Sequence, residues 1–454
     1  MKQYSQMKDS RIKGLGKIPS SWTEIPLQYL ASSESNAFTD GPFGSNLKSS
    51  EYVDSGVLLI QLNNIGDGKF YLKNPTYITE EKFQSLSKHN AIPGDVVVSK
   101  MADPIARACL VPDIESKYFI VSDCIRLRTK DNVNNQFLTY AINSPYFRQR
   151  AASFGGGSTR QRIQLTQLKK LSIILPEKEQ KQIINYLDKK TKKIDDEILK
   201  NQKLIELLKE QKQSVINHAV TKGLDDTITM KDSGIDWVGK IPKHWNVKSI
   251  RYILIPGKLG IKIGPFGSSL KLNSMSKSGF KVYGQENVIK RDFDLGERFI
   301  DKKKFDEMIV HEIVPNDIIV TMMGTTGLSQ VVPKKIQKGI MDSHLVRIRS
   351  NNQICDTNFL SLLINSSDYV KFELKLESKG SIMEGLNSSI LKSVKILLPE
   401  SIKEQKQITD HLDKKTKAVD SLILKIELQI KQLQEFRESL ISSAVTGKIQ
   451  VTEA

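Results

Sequence analysis

The stretch LPEKEQKQIINYLDKKTK at residues 175–192 returns as LPESIKEQKQITDHLDKKTK at residues 398–417. Each copy continues as a segment rich in Leu, Ile, Lys, Glu and Gln, with no Gly or Pro until Gly223 or Gly447. This composition predicts a helix of about 43 residues, roughly 65 Å long at about 1.5 Å per residue. A proline before the helix and a glycine after it agree with the preferences of helix ends. The chain is therefore expected to carry the same long helix twice.

The repeat covers far more than the two helices. Gly16-Lys17-Ile18-Pro19 returns as residues 239–242, and Gly41-Pro42-Phe43-Gly44-Ser45 returns at the same offset as residues 264–268. Short β-branched runs, such as residues 95–99, predict strands in the part that precedes each helix. A repeat on this scale means two copies of one structural unit.

These observations predict an α+β fold. Two globular α/β domains are joined by two long antiparallel helices that form an intramolecular coiled coil with pseudo-two-fold symmetry. The predicted segments are a first globular domain at residues 1–175, a first long helix at 176–222, a linker at 223–244, a second globular domain at 245–398, a second long helix at 399–446 and a C-terminal tail at 447–454.

The coiled coil is predicted from a seam of residues that step alternately by three and four along each helix. Polar residues interrupt it at Asn201, Lys212 and Arg437, where they can set the register. Because few residues separate the first helix from the second domain, the second helix must run back along the first, and the tail returns to the first domain. The predicted seam comprises Ile194, Ile198, Asn201, Ile205, Leu208 and Val215 in the first helix and Val419, Ile423, Ile426, Ile430, Leu433 and Leu440 in the second.

Charge and composition indicate the class of partner. The chain has 68 Lys and Arg against 51 Asp and Glu, a formal charge of +17 and a pI near 9.4. This excess favours a polyanionic partner, and nucleic acid before a membrane surface. No apolar run approaches the roughly 18 residues of a membrane span, and residues 1–17 lack the apolar core of a signal peptide. The three widely spaced cysteines fit a reducing compartment, so a soluble cytoplasmic protein is expected.

Three kinds of segment are candidates for DNA contact. The Gly-Pro-Phe-Gly-Ser loops offer backbone amides, a hydroxyl and a following Lys to a phosphate, although ordinary turn chemistry explains such loops too. Residues 124–128 and 345–349 alternate apolar residues with Arg, which predicts half-buried strands with two guanidinium groups on one face. Residues 155–162, GGGSTRQR, place small residues beside Arg and Gln, which can read guanine and adenine edges. The predicted DNA-binding residues are Ser45, Lys48, Arg126, Arg128, Ser158, Thr159, Arg160, Gln161 and Arg162 in the first copy and Ser268, Lys271, Arg347, Arg349, Lys379 and Ser381 in the second.

A catalytic centre is not apparent in the sequence. Asn143-Ser144-Pro145-Tyr146 differs by one residue from the Asn-Pro-Pro-Tyr loop of adenine methyltransferases. However, no Gly-rich AdoMet loop follows an early strand, and the second copy reads Asn365-Ser366-Ser367-Asp368. The six histidines show no ligand spacing, so no metal site is expected.

Together, three features resemble the DNA-specificity subunit of type I restriction–modification enzymes over about residues 9–449. They are the segment DSGIDWVGKIPKHW at residues 232–245, both Gly-Pro-Phe-Gly-Ser loops, and Leu-Pro followed by Glu-Gln-Lys-Gln-Ile at the start of each long helix. The first copy departs from the pattern at residues 9–15, DSRIKGL.

The resemblance implies two target-recognition domains that each read one half of a split double-stranded DNA site. It also implies that the helices set the spacing and bind two modification (methyltransferase) subunits, which carry AdoMet and methylate adenine N6. Separate restriction (translocase and nuclease) subunits would use ATP and magnesium. This chain itself would hold no cofactor and would not be an enzyme. Because the two domains differ at their candidate loops, the expected target is asymmetric. Two other hypotheses for the chain are that it is a self-sufficient adenine methyltransferase or a coiled-coil scaffold protein.

Overall fold

The computed structural model describes residues 3–101, 104–154, 162–266, 269–271, 274–324, 326–378 and 388–451. The chain divides into two compact units. Unit 1 consists of Met1–Gln202 and Glu427–Ala454, and unit 2 consists of Lys203–Ile426. The C-terminal segment therefore belongs to the first unit, as the connectivity of the sequence predicts.

Unit 1 contains short strands, four short helices, the start of one long helix and the end of another. They are β1 (Met7–Asp9), β2 (Lys17–Pro19), β3 (Thr23–Pro26), β4 (Phe38–Asp40), β5 (Val57–Ile60), β6 (Tyr77–Ile78), α1 (Glu80–Ser85), β7 (Asn90–Ala91), β8 (Val96–Ser99), β9 (Ala108–Leu110), β10 (Tyr118–Ile120), β11 (Cys124–Leu127), α2 (Asn135–Asn143), α3 (Pro145–Ser153), α4 (Leu165–Lys170), β12 (Ser172–Leu175) and the long helix α5 (Gln180–Lys222).

Unit 2 repeats this series with one further short helix, and each long helix begins in one unit and ends in the other. It contains β13 (Met230–Asp232), β14 (Lys240–Pro242), β15 (Trp245–Ser249), β16 (Ile261–Ile263), β17 (Phe280–Tyr283), α6 (Gln285–Ile289), β18 (Phe299–Ile300), α7 (Lys302–Glu307), β19 (Glu312–Ile313), β20 (Ile318–Thr321), β21 (Ser329–Val331), β22 (Gly339–Met341), β23 (Leu345–Ile348), α8 (Thr357–Ser366), α9 (Asp368–Ser378), α10 (Ser388–Ser393), β24 (Lys395–Pro399) and the long helix α11 (Ile402–Val445).

The two units have the same sheet topology. In unit 1 an antiparallel sheet has the order β4-β11-β8-β9, and a second sheet, β6-β5-β10-β7, contains the parallel pair β5 and β10. In unit 2 the corresponding orders are β16-β23-β20-β21 and β18-β17-β22-β19, with β17 and β22 parallel. Two two-stranded pairs complete the described strands of each unit: β1 with β2 and β3 with β12 in unit 1, and β13 with β14 and β15 with β24 in unit 2. Duplication of topology is what the repeated sequence predicts.

The central strand β11 is buried on both faces. Ile125 and Leu127 join a core that includes Phe137 of α2, whereas Cys124 packs into a second cluster with Tyr118 of the other sheet. Every residue of β11 is therefore buried, and so is every residue of its counterpart β23. The prediction of half-buried strands is wrong here, because helices cover one face of the sheet and the second sheet covers the other.

The long helices join the globular parts through their first residues. Glu179 accepts a hydrogen bond from the indole nitrogen of Trp22 at 3.1 Å, and Glu404 accepts one from that of Trp245 at 2.9 Å. The next residue, Gln180, accepts a hydrogen bond from the backbone amide of Asn134 at 2.8 Å. The Glu-Gln pair of the repeated motif is thus a structural joint in each unit.

Within each unit the start of one long helix packs against the end of the other. In unit 1, Leu187 of α5 and Ile441 of α11 belong to one core cluster, and Asp195 binds Arg437 at 2.9 Å. In unit 2, Val220 of α5 and Leu412 of α11 share a cluster, and Lys212 binds Asp420 at 2.6 Å. The helices therefore run antiparallel in both units, and the polar interruptions of the seam at Lys212 and Arg437 find carboxylate partners.

Burial along the two helices follows the heptad spacing. All twelve predicted seam positions are buried or half-buried, while most residues between them are exposed. The buried ones are Ile194, Asn201, Ile205, Ile423, Ile426 and Leu440, and the half-buried ones are Ile198, Leu208, Val215, Val419, Ile430 and Leu433.

Candidate nucleic-acid interface

The Gly-Pro-Phe-Gly-Ser loop of each unit begins directly after an edge strand, at a point of close backbone contact. Gly41 donates its amide hydrogen to the carbonyl of Cys124 at 3.0 Å, and a Cβ on it would lie 2.0 Å from the carbonyl oxygen of Val121. At Gly264 the corresponding Cβ would lie 1.7 Å from the carbonyl oxygen of Asp342. Only glycine fits either position, because a side chain would overlap the neighbouring backbone.

Beyond this glycine and the proline that follows it, residues 43–46 of the first loop and Phe266 of the second are exposed. The backbone amide of Asn46 donates to the carbonyl of Phe43 at 2.8 Å, and that of Ser269 donates to Phe266 at the same distance. Each bond closes a tight turn. The phenylalanine side chain at the start of each turn is exposed, at 81% for Phe43 and 86% for Phe266.

The predicted phosphate-binding residues of these loops are at the surface. Ser45, Lys48 and Lys271 are exposed, while Ser268 lies outside the described residues. Ser45 and Lys48 belong to one loop in unit 1, so they can contact one phosphate backbone together.

Charged side chains surround the loop of unit 1. The ammonium of Lys100 lies 2.7 Å from a carboxylate oxygen of Asp40, the residue before Gly41. The guanidinium of Arg162 lies 2.8 Å from Asp123, whose carbonyl accepts the backbone amide of Lys100. A β-bridge joins Met101 to Arg162, which brings the end of the 155–162 segment to the same edge. Four of the predicted base-reading residues, Ser158, Thr159, Arg160 and Gln161, lie outside the described residues.

Unit 2 has apolar side chains at the positions that correspond to Asp40 and Lys100. The backbone amide of Met322 donates to the carbonyl of His344, as that of Lys100 does to Asp123, so Met322 takes the place of Lys100. Ile263 precedes Gly264 and takes the place of Asp40, and both Met322 and Ile263 pack against the core of unit 2. Lys379 and Ser381 lie outside the described residues. This paired exchange could not be predicted from the sequence, because its two positions are 60 residues apart in unit 1.

Two of the predicted DNA contacts lie in the interior, which corrects that prediction. Arg126 is 2% exposed and Arg347 is 1% exposed. Arg126 donates to the backbone carbonyl of Asn90 at 2.8 Å and also binds the carbonyl of Asn36. Arg347 binds the carbonyl of Glu312. Burial lowers the pKa of both guanidinium groups. They hold backbone carbonyls together and do not face solvent.

The neighbouring arginines are held by buried carboxylates. Arg128 binds Asp95 through two hydrogen bonds of 3.0 and 2.9 Å, and Arg349 binds Asp317 through two of 2.6 and 3.1 Å. Asp95 also accepts the backbone amide of Ile92 at 3.0 Å. These bidentate pairs fix the ends of β11 and β23, and about a fifth of each arginine side chain is exposed.

The segment at residues 143–146, which is similar to the Asn-Pro-Pro-Tyr loop of adenine methyltransferases, has a structural role. The side chain of Asn143 accepts the backbone amide of Ala108 at 2.9 Å and donates to its carbonyl at 2.8 Å. Asn365 makes the same pair of bonds with Ser329, at 2.7 and 2.6 Å. The side-chain amides of Asn143 and Asn365 therefore both bind the backbone of a neighbouring strand. Asn143 is the residue on which the hypothesis of a self-sufficient methyltransferase depends, and its side chain has this structural role instead.

The described residues give little sign of other chemistry. Among them, no group of three or more His, Cys, Asp or Glu could hold a metal ion. The cysteines are buried and unpaired, and burial raises the pKa of Cys109 and Cys355 to about 12. None of the helices among the described residues is both long enough and apolar enough to span a membrane.

Comparison with known proteins agrees with the duplicated fold. The chain is 23% identical over 463 residues to the putative type I restriction enzyme MjaX specificity subunit of Methanocaldococcus jannaschii, covering 99% of this chain and 98% of that protein. It is 20% identical over 448 residues to the EcoKI specificity subunit of Escherichia coli K12, covering 96% and 90%.

Solved structures share the fold. A chain solved for "Structural basis underlying complex assembly and conformational transition of the type I R-M system" matches with a TM-score of 0.71 and 14% identity, over 95% of this chain and 99% of that one. The HsdS subunit of Thermoanaerobacter tengcongensis matches with a TM-score of 0.55 and 15% identity, over 96% and 99%.

The family match falls once on each copy of the repeat. Residues 48–209 and 261–432 each match the type I restriction modification DNA specificity domain. The second match includes the Gly-Pro-Phe-Gly-Ser loop at residues 264–268, whereas the first begins just after the loop at residues 41–45. Both matches include a large part of a long helix. The chain therefore belongs to the family of type I restriction–modification specificity subunits, with two DNA specificity domains.

Proposed function

We propose that this chain is the non-catalytic, sequence-specific DNA-binding subunit of a type I restriction–modification complex. Each unit reads one half of an asymmetric, bipartite site in double-stranded DNA. The observation that carries the proposal is the duplicated loop-bearing unit, with different chemistry beside the loop in each copy. The pair Lys100 and Asp40 in unit 1 is replaced by Met322 and Ile263 in unit 2. Two equal domains would instead favour a palindromic target.

The partners follow from the same proposal. Two modification subunits supply AdoMet and methylate adenine N6, and restriction subunits supply ATP-driven translocation and magnesium-dependent cleavage. Exposed apolar side chains along the long helices support docking of a protein there, since such surfaces mark interaction sites. The large apolar side chains exposed on α5 and α11 are Leu199, Leu204, Leu207, Leu422, Leu424, Leu428 and Phe436.

A genome-wide map of N6-methyladenine in the source cells, with and without this gene, tests the proposal. We expect methylation to disappear at one split, asymmetric motif when the gene is deleted. An unchanged map contradicts the proposal, and so does loss at an uninterrupted palindrome.

Substitutions then test the assignment of the two units to two half-sites. Replacing Lys48 or Lys271 by Ala should lower affinity for all sequences, because phosphate contacts carry no sequence information. Replacing Arg160 or Gln161 should relax preference in one half-site only. Relaxation of both halves together would show that the domain assignment is wrong.

A further inference from the structure

The two phenylalanines of the Gly-Pro-Phe-Gly-Ser loops are exposed to an unusual degree. Phe43 at 81% and Phe266 at 86% are more exposed than any other large hydrophobic side chain among the described residues. The next is Tyr252, at 66%. An apolar ring in water loses the stabilisation that burial would provide, and the chain keeps that unfavourable arrangement at the same position of both copies.

The backbone that leads to each ring is held in place before any partner binds. Gly41 and Gly264 press against backbone carbonyls, and the prolines that follow them are buried. The turns after Phe43 and Phe266 are closed by backbone hydrogen bonds of 2.8 Å. A ring on an anchored loop loses little conformational entropy when it inserts into a partner.

The surroundings of each ring match DNA better than a protein groove. Residues 42–50 and 265–274 each contain one lysine and no acidic residue. In unit 1 the next residue, Glu51, accepts the backbone amide of Lys48 at 2.7 Å and pairs with Lys82. The lysines, Lys48 and Lys271, are exposed. Base steps offer flat faces to an aromatic ring, while the adjoining phosphates attract a cation and backbone amides.

We propose that Phe43 and Phe266 act as wedges that insert between stacked base pairs, one in each half-site, while Lys48 and Lys271 bind the flanking phosphates. This inference rests on the proposed function and adds a deformation of the target DNA to it. Apolar wedges of this kind unstack a base step and bend the duplex. Unstacking also lowers the cost of extruding a nearby base, which an enzyme that modifies adenine requires.

Fluorescence of 2-aminopurine tests the wedge. The full chain is purified with the subunits that remain bound to it and is mixed with duplexes that carry the motif found in the methylation map. In each duplex 2-aminopurine replaces one base, position by position. We expect a several-fold rise in fluorescence at one step in each half-site. Phe43→Ala should remove the rise in one half-site and Phe266→Ala in the other, whereas Phe43→Tyr should keep it.

Tyr29→Ala provides a matched control. Tyr29 is a 58% exposed aromatic residue of the same unit, and it lies beyond the other end of β11, where Lys130 donates its amide hydrogen to the carbonyl of Leu30. This variant should leave the fluorescence profile unchanged. Because all of these side chains are exposed, none of the substitutions should alter the thermal unfolding midpoint appreciably.

Three results would overturn the inference, and they are distinguishable. Sequence-specific binding by Phe43→Ala with the wild-type fluorescence profile would exclude the wedge and leave the proposed function standing. Loss of the bound subunits with an unchanged DNA response would assign Phe43 to a protein contact. Failure of the wild-type protein to prefer its motif would refute the proposed function itself and the wedge with it.

Discussion

In unit 1 the ammonium of Lys100 and a carboxylate oxygen of Asp40 lie 2.7 Å apart, and the two side chains differ in exposure. The side chain of Lys100 is 5% exposed and that of Asp40 is 34% exposed. The two single substitutions should therefore have unequal costs. Removing Asp40 leaves a buried ammonium without its counterion, whereas removing Lys100 leaves a carboxylate that water still reaches.

Unit 2 suggests the substitutions, because it has Ile263 and Met322 at these positions. We expect Asp40→Ile to lower the free energy of unfolding of unit 1 by about 3–5 kcal/mol, the usual cost of breaking a buried ion pair. Lys100→Met should lower it by about 1.5–3 kcal/mol, roughly the contribution of a hydrogen bond between charged groups. The double variant should come within about 1–2 kcal/mol of the wild type, because a well-packed apolar pair can replace a buried ion pair.

Hydrogen exchange at increasing urea concentrations measures these differences unit by unit, through peptides that cover β8 and β11. The pair Lys117 and Glu80 is the control. Its side chains are 43% and 54% exposed, so Lys117→Met should change stability by less than about 1 kcal/mol. A larger loss for Lys100→Met than for Asp40→Ile would refute the reasoning from burial. Simple addition of the two losses in the double variant would refute the coupling.

Three further expectations concern pH, the helix joint and salt. Burial lowers the pKa of His89 and of His311 below the ordinary 6.5. The neutral form is therefore favoured in the folded state, and stability is complete above pH 6.5 and declines as the pH falls below it towards the folded-state pKa. Urea unfolding between pH 7.5 and 5 measures this decline, which His89→Gln should reduce. Glu404→Ala leaves the buried indole N–H of Trp245 without its acceptor and should cost about 1–3 kcal/mol, whereas Glu404→Gln should cost less; urea unfolding followed by tryptophan emission compares them. Lys48→Ala should reduce the slope of log affinity against log salt by about 1 if the lysine binds a phosphate, and unchanged slopes would exclude that contact.

The long helices show how far local patterns predict this fold. The sequence predicts them at residues 176–222 and 399–446, and the structure has them at Gln180–Lys222 and Ile402–Val445. The C-terminal ends agree closely, since a glycine follows each helix and ends it. The N-terminal ends begin later than predicted, and Glu179, just before α5, accepts the hydrogen bond from Trp22. That contact joins residues far apart in the chain, so helix propensity contains no information about it.

In the candidate site, too, features set by neighbouring residues could be predicted, whereas features set by long-range packing could not. The repeated Gly-Pro-Phe-Gly-Ser segment is visible in the sequence because it is a short, distinctive run that returns at a fixed offset. The contact that requires its first glycine is with Val121 or Asp342, far away in the chain. The interpretation of Arg126 and Arg347 as surface residues fails, because alternation within one strand does not show whether a second layer covers it. The packing of helices on one face of the sheet and of the second sheet on the other decides that.

The duplication, the long helices with their seam and the place of the loops can be predicted from the sequence, because each is visible in runs of neighbouring residues. Which side chains surround each loop depends on the tertiary structure. Asp40 and Lys100 are separated by 60 positions, and they meet because β4 and β8 flank β11 in one sheet. The exposure of Phe43 has the same origin, because a side chain is exposed only if no element from elsewhere in the chain covers it.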